Sequence, residues 1–346
     1  MRAAPNVRAH TEDLRLAVQQ VLSESLGDGY KVRRLRRRRS AYSSSCSIEN
    51  LEVELTRERR LSLVFKDLSP TSLLETAQEV RPRFLYDPLR EIETYRKILN
   101  PERFGTAICY GAIHHPDLQR YWLFLERVEG CLLWQVGHME TWRRAAQWMA
   151  RLHTEFSTAQ NGENRAKLAH LLEYDRQLFG VWLERAENYL RARPAGECAK
   201  VSRRFSRLAA GYGRVIDRLL ALPQTLIHGE FYPSNVILRG TKRESRICPI
   251  DWEVAAIAPG LIDLAALTSG NWTLDQKTEL VAAYRDALEP VNGWPPPMPE
   301  LLELVDCCQL HLAMQWLGWA TDWSPPKMHA RNWLGEVFRL AERLGL

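Results

Sequence analysis

The sequence predicts an α+β protein in two lobes, a small β-rich N-terminal half and a larger helical C-terminal half joined by a short connector. Three observations predict this. Leu51-Glu52-Val53-Glu54-Leu55 alternates strictly, and beyond a charged turn at Arg57-Glu58-Arg59 the residues Leu61, Leu63 and Phe65 alternate again; a period of two on both sides of a turn is a hairpin. From Thr141 onward apolar residues recur at helical spacing. Short β segments at Thr225–Ile227, Val236–Leu238 and Ile247–Ile250 interrupt those helices. The expected division is residues 1–125, a connector at 126–130, and residues 131–346.

Taken in order, residues 11–25 form an amphipathic helix with Leu14, Ala17, Val18, Val21 and Leu22 on one face. Thr11 is the expected cap, with Glu12 and Asp13 in the first turn, where carboxylates complement the helix dipole. Residues 30–68 are β structure, and on the second hairpin strand Val64 and Lys66 share the face opposite Phe65. Residues 87–99 form a helix with Glu91 and Tyr95 one turn apart. Tyr121-Trp122-Leu123-Phe124-Leu125 is an apolar strand ending at Glu126-Arg127-Val128-Glu129-Gly130. Trp142, Ala145, Ala146, Met149 and Leu152 keep helical spacing, as do Leu171, Tyr174, Leu178 and Trp182, and Leu334, Val337, Phe338, Ala341 and Leu344.

The bulk properties bound the function without naming it. With 346 residues and 45% hydrophobic content, two lobes can each bury a core. The net charge of +5 suits an enzyme of anionic nucleotides and many other soluble proteins. Arg33, Arg34, Arg36, Arg37, Arg38 and Arg39 form a dense basic run that fits either an anion-binding surface or a solvated strand edge. No aromatic-interleaved basic pattern elsewhere supports a nucleic-acid surface. The seven cysteines show no zinc or redox spacing; Cys307 and Cys308 read as core, and the thiols suit a reducing compartment. His114-His115 reads as a loop. No run approaches the ~20 apolar residues of a membrane span, and none resembles a signal peptide, so a cytoplasmic protein is expected.

The chemistry concentrates in His228-Gly229-Glu230-Phe231-Tyr232-Pro233-Ser234-Asn235 and in Ile250-Asp251-Trp252-Glu253. Phosphoryl transfer needs a neutralised triphosphate, a held metal and a group that orients the acceptor hydroxyl. A carboxylate five residues before an Asn, followed by an Asp ending a short strand, supplies these. Glu230 accepts or orients the hydroxyl proton, and Asn235 and Asp251 are hard oxygen ligands suited to Mg²⁺.

These motifs resemble the aminoglycoside-phosphotransferase-like kinase family, also called the phosphotransferase enzyme family, with its H-G-D-x-x-x-x-N, I-D-W-E and D-L-A segments. This chain has His228, Gly229, Glu230 and Asn235, then Ile250–Glu253, then Asp263-Leu264-Ala265, in that order. The resemblance covers roughly residues 30–290 and implies a bilobal protein-kinase-like fold with ATP and Mg²⁺ in the cleft between lobes. It implies that Lys66 in Leu63-Val64-Phe65-Lys66 grips the α- and β-phosphates and that Glu91 holds it, with Glu93 the fallback. Glu126 and Val128 offer backbone groups to adenine, and Ala150-Arg151-Leu152-His153 is similar to the first large-lobe helix. His228 and Asp263 take structural roles that order the catalytic loop; Asp263 read alone fits a helix start. Glu253 lies close to the metal or one layer behind it.

Two departures stand out. The family's catalytic Asp is Glu230 here, one methylene longer. No glycine lies between Gly29 and Gly105, so a glycine-rich phosphate loop is absent; Ser43, Ser44 and Ser45 stand in its place, either as phosphate donors or as a plain turn. The acceptor implied is a small hydroxyl compound: an antibiotic, sugar, amino alcohol, nucleoside or other metabolite. An aminoglycoside requires an acidic surface, for which a helix over 170–190 offers Glu173, Asp175, Glu184 and Glu187. Trp316, Trp319, Trp323 and Trp333 fit either an acceptor pocket or helix-core packing. The alternative from another class is a catalytically weak, pseudokinase-like nucleotide-binding regulator. The sequence is compatible with a monomer or a homodimer.

Overall fold

In the computed structural model, residues 9–40, 45–74, 82–158, 162–192, 199–240, 245–290, 293–319 and 331–346 are described. Ser43, Ser44, Cys198 and Trp323 lie outside them. The chain divides into two units, one of residues 1–131 with 237–253, the other of residues 132–236 with 254–346.

In the first unit the alternating segments form an antiparallel five-stranded sheet: β1 (Val32–Arg39), β2 (Ser47–Leu55), β3 (Arg60–Asp67), β4 (Cys109–His115) and β5 (Arg120–Glu126), in the order β1-β2-β3-β5-β4. Leu51, Val53, Leu63, Phe65 and Phe124 share one face, and α1 (Thr11–Leu26) covers it with Leu14, Val18, Val21 and Leu22. Each fully buried aliphatic side chain of this kind contributes on the order of 1.5–3 kcal/mol of burial. Gly111 adopts φ +151°, and a Cβ there would meet Val21 at 2.9 Å, so the helix lies directly on β4. The opposite face carries Lys66, because Lys66 is one residue out of phase with Phe65. A helix α2 (Pro88–Lys97) starts at Asp87, whose carboxylate accepts from Leu89 N, and it buries Glu91 and Tyr95. The returning segment 237–253 brings most of β9 (Val236–Arg239) and all of β10 (Arg246–Pro249), which with the two-residue β6 (Cys131–Leu132) form a small sheet in the order β10-β9-β6.

The second unit is mostly helical: α3 (Met139–Glu155), α4 (Arg176–Arg191), α5 (Ala199–Leu220), α6 (Leu261–Leu267), α7 (Leu274–Arg285), α8 (Met298–Trp319) and α9 (Trp333–Arg343). A second small sheet, β7 (Leu172–Glu173), β11 (Ala256–Pro259) and β8 (Gln224–Ile227), leads from β8 into the segment at His228. Cys307 and Cys308 are fully buried in α8. Among the described residues no helix is long and apolar enough to cross a membrane.

Several expectations are corrected. Thr11 is the first helical residue rather than the cap; His10 precedes the helix without a side-chain cap bond, and the Thr11 hydroxyl accepts from Arg37 instead. His114 and His115 end strand β4, exposed, with His114 stacked on Tyr121. Leu171 and Tyr174 lie before α4: β7 pairs with β11, and Asp175 ends that extended stretch by capping the helix at Leu178 N. The arginine run, by contrast, keeps to the solvated strand edge, one of its two readings: it is an edge strand in which Arg37 is held by Glu49, while Arg33, Arg34, Arg36, Arg38 and Arg39 are solvent-exposed.

Candidate active site

In the first unit the side chain of Lys66 passes into a buried cluster. Its Nζ donates to Glu91 Oε1 at 2.7 Å, Glu91 Oε2 at 2.8 Å and Asp251 Oδ1 at 2.8 Å. Helix spacing decides the partner: Glu91 faces inward, whereas Glu93 faces Arg96 and Lys97 on the helix surface. The backbone amide of Trp252 donates to Glu91 Oε1 at 3.1 Å, tying the segment after β10 to α2. Asp251 adopts φ +70°, a left-handed conformation rare for a residue with a Cβ and often held at functional positions.

The charges are unequal. Lys66 carries one positive charge against the carboxylates of Glu91, Asp251 and the nearby Glu253. Burial disfavours its ammonium, but Asp251 and Glu91 outweigh burial and hold its pKa well above the ordinary lysine range. Burial, then Asp251, push the Glu91 carboxyl up to about 7 despite Lys66. Carboxylate therefore exceeds cation here, which suits an added divalent ion. No three His, Cys, Asp or Glu side chains converge as a metal cage among the described residues. Mg²⁺ does not need one, since it takes one or two protein oxygens and completes its shell with water and phosphate.

Ser45 lies beside this cluster, its hydroxyl donating to Glu253 Oε1 at 2.8 Å. Glu253 is further fixed through its carbonyl, which accepts from Arg90 at 2.9 Å. The buried thiol of Cys46 adjoins Lys66, Glu91 and Glu253 and is pushed well up by burial. The connector begins differently from a plain loop. Glu126 binds Arg246 through both carboxylate oxygens, at 2.8 and 2.7 Å. The amides of Glu126 and Arg127 are spent on Ile108 and Ser62. Val128 is the first connector residue whose amide has no such partner among the described residues.

In the second unit the segment after β8 is held from below. Asp263, fully buried on α6, accepts from the amides of His228 at 2.7 Å and Gly229 at 2.9 Å. A residue at a helix start would have pointed to its own helix; Asp263 instead satisfies two loop donors that burial would otherwise orphan. Gly229 takes φ +84°, and a Cβ there would meet Val254 O at 2.6 Å, so only glycine fits. His228 is buried, and its Nδ1 accepts from the Glu230 amide at 3.3 Å. Asn235 Nδ2 donates to the Glu230 carbonyl at 3.0 Å, which leaves the Asn235 side-chain oxygen as the atom suited to a cation.

Two groups beside this loop escaped sequence reasoning. His153 bridges Tyr284 Oη at 2.8 Å and Asp263 Oδ2 at 3.3 Å, so Asp263 is itself braced. The only signal was a histidine ending the segment Ala150-Arg151-Leu152-His153. Tyr232, two residues past Glu230, accepts from Trp316 Nε1 at 2.7 Å. Burial and then the Glu230 carboxylate push the Tyr232 hydroxyl upward. Trp316 stacks on Trp333 at 5.2 Å with rings 5° from parallel, while Trp319 stacks on Trp182 at 5.9 Å in the helical core.

The chain is similar to known proteins in both sequence and fold. The sequence model of the phosphotransferase enzyme family matches residues 45–299. A Plasmodium vivax ethanolamine kinase has a similar structure at TM-score 0.56 and 12% identity, covering 99% of this chain and 91% of that one. A choline kinase from Cryptosporidium parvum Iowa II gives TM-score 0.57 and 11% identity, covering 97% and 94%. A mutant aminoglycoside 2′-phosphotransferase in complex with GDP gives TM-score 0.57 and 13% identity, covering 96% and 97%. At these identities the structures speak for the fold. No curated protein matches the chain by sequence.

Proposed function

The chain belongs to the phosphotransferase enzyme family and is a phosphotransferase with a hydroxyl acceptor; from this premise we propose that it moves the γ-phosphate of ATP to the hydroxyl of a small molecule. What supports this reading most is the buried Lys66 held at 2.7 Å by Glu91 and at 2.8 Å by Asp251. An ammonium fixed that firmly, at a cost in desolvation, suits a fixed anion such as a nucleotide α/β-phosphate.

In the proposed reaction the acceptor oxygen bonds to the γ-phosphorus, the bond from that phosphorus to the bridging oxygen of ADP breaks, and ADP leaves. The hydroxyl proton passes to the Glu230 carboxylate. Asp251 and Asn235 are the proposed Mg²⁺ ligands, and the ion when bound neutralises phosphate oxygens. Lys66 binds the α/β-phosphates and Glu91 keeps it extended. The Val128 amide is positioned to donate to a base, and Ser45 is a candidate donor near the phosphates. Asp263 and His228 hold the loop that carries Glu230, whose extra methylene reaches the acceptor from a loop braced at 2.7 and 2.9 Å.

The test is MgATP binding together with γ-phosphate transfer to a panel of hydroxyl compounds. Asp251→Ala abolishes transfer, and Glu230→Gln lowers kcat while MgATP binding persists. Turnover retained in Asp251→Ala contradicts the metal assignment. MgATP binding with no transfer to any acceptor, unchanged by Glu230→Gln, favours a regulator instead.

A further inference from the structure

Strand β1 carries a row of positive charge that the phosphotransferase site does not use. Arg34, Arg36 and Arg38 alternate along one face of the strand, opposite Glu54, Glu52 and Asn50 of β2. Glu52 is already held by Arg127 at 2.8 Å and by the Ser62 hydroxyl at 2.7 Å. Among the described residues no carboxylate pairs with Arg33, Arg34, Arg36, Arg38 or Arg39, in contrast to Arg37 on Glu49. The flanking segments bring no relief, since residues 1–8 and 41–44 contain no Asp or Glu. Alternate residues stand roughly 6.5–7 Å apart along a strand, so these guanidiniums repel one another until an anion joins them.

The same strand ends the sheet, with β2 on one side only. The Ser40 amide donates to the Ile48 carbonyl at 2.9 Å. Antiparallel bonding alternates, so from that pair onward Arg38, Arg36 and Arg34 bond to β2, while the amides and carbonyls of Leu35, Arg37 and Arg39 turn outward. None of those outward groups bonds to a described residue. Charge on an edge guards it against a like edge, and this row repels a second copy of β1. The same row attracts an acidic strand, whose carboxylates match the guanidinium fork. A nucleic acid fits less well, because β1 has no aromatic side chain for a base to stack on. An anionic membrane also fits less well, because no apolar side chain stands between Arg34, Arg36 and Arg38 on their face.

We infer that β1 is a docking edge for an acidic, extended segment of a partner protein, which adds to the five-stranded sheet as a further strand and sets alternate Asp or Glu side chains against Arg34, Arg36 and Arg38. Its backbone bonds to the outward groups of Leu35, Arg37 and Arg39, and its carboxylates lie about 4.8 Å across from the arginine row. This surface is separate from the phosphotransferase reading and stands whether or not that reading holds.

The probe is a fluorescein-labelled Glu-Thr-Glu-Thr-Glu-Thr-Glu peptide, titrated against the full chain by anisotropy. Two further peptides carry N-methyl groups on the Thr amides or on the Glu amides. In an added strand one alternate set of amides faces β1 and the other faces solvent, so one N-methylated peptide loses affinity at least tenfold and the other keeps it. The combined variant Arg34→Thr, Arg36→Thr, Arg38→Thr weakens the unmodified peptide at least tenfold. Threonine suits a strand and removes the repulsion, so the thermal midpoint of this variant at low salt is no lower than that of wild type. A lower midpoint shows that the arginines are paired within the chain and overturns the inference. So do absent peptide binding, equal effects of the two N-methylated peptides, and unchanged affinity in the triple variant. Tighter binding of an oligothymidylate of equal charge, or of phosphatidylserine vesicles, assigns the edge to another partner and overturns it as well.

Discussion

In the proposed function Lys66 serves two ends, the stability of a buried pair and the binding of nucleotide. Its removal by Lys66→Ala leaves Glu91 buried without its ammonium, a loss of about 3–5 kcal/mol when one partner of a buried pair is deleted. The double variant Lys66→Met, Glu91→Leu recovers most of that stability, because an apolar pair of similar volume needs no compensation. Nucleotide binding stays lost. Denaturant titration of both variants beside MgATP titration checks this, and an equally unstable double variant would contradict the burial argument. Asp263→Asn is the counterpart in the second unit: one of the two amides it serves then faces an NH₂ group. Transfer falls on the order of 100-fold through displacement of Glu230, measured as kcat against an unchanged MgATP affinity. The partner of Lys66 was narrowed to Glu91, with Glu93 as fallback, only through the family resemblance, and the inward phase of Glu91 on α2 decides between the two. The bracing of Asp263 by His153 and Tyr284 was not legible in the sequence, because no local pattern links side chains 110 and 131 residues apart.

Elements transmit these positions. Helix α2 carries Glu91 and begins at Asp87, whose carboxylate satisfies Leu89 N at 2.9 Å. Asp87→Ala costs about 1 kcal/mol for the lost cap, and the loosened first turn raises the KM for ATP; thermal unfolding and initial rates measure the two effects. At the loop after β8, Gly229→Ala meets both a positive φ and the Val254 carbonyl at 2.6 Å. A loss of about 2 kcal/mol or more and a collapse of kcat are expected, while Gly137→Ala, in open space, serves as the neutral comparison. Hairpin β2–β3 and most helices follow from periodicity. The extended stretch before α4 does not, because Leu171, Tyr174, Leu178 and Trp182 keep helical spacing. A parallel pairing of β7 with β11 overrides it.

At the scale of the whole chain, pH reports on the helical core. His311 is fully buried, with Tyr212 Oη at 3.1 Å and the rings of Phe179 and Tyr174 edge-on. Burial lowers its pKa from 6.5 to about 3. The unfolded chain therefore binds the proton more strongly than the folded one between those values. Stability is fully present above about pH 6.5 and is lost as pH falls toward 3. Denaturant midpoints from pH 7 to 4 show this decline, and His311→Leu flattens it; an unchanged slope in that variant would assign the acid sensitivity elsewhere.

The sequence by itself determined the two kinds of structure, the faces of the hairpin and helices, the order of the motifs, and the residue types able to hold a triphosphate and a metal. Those features are local: side-chain period and short spacing suffice to write them. Only the tertiary structure decided that residues 237–253 join the first unit and bring Asp251 to Lys66, that Asp263 is braced by His153, and that Tyr232 meets Trp316 and Trp333 with Arg331 beside them. Those contacts join residues far apart along the chain. They are selected by the packing of whole elements and the pairing of buried polar groups, which no window of sequence records.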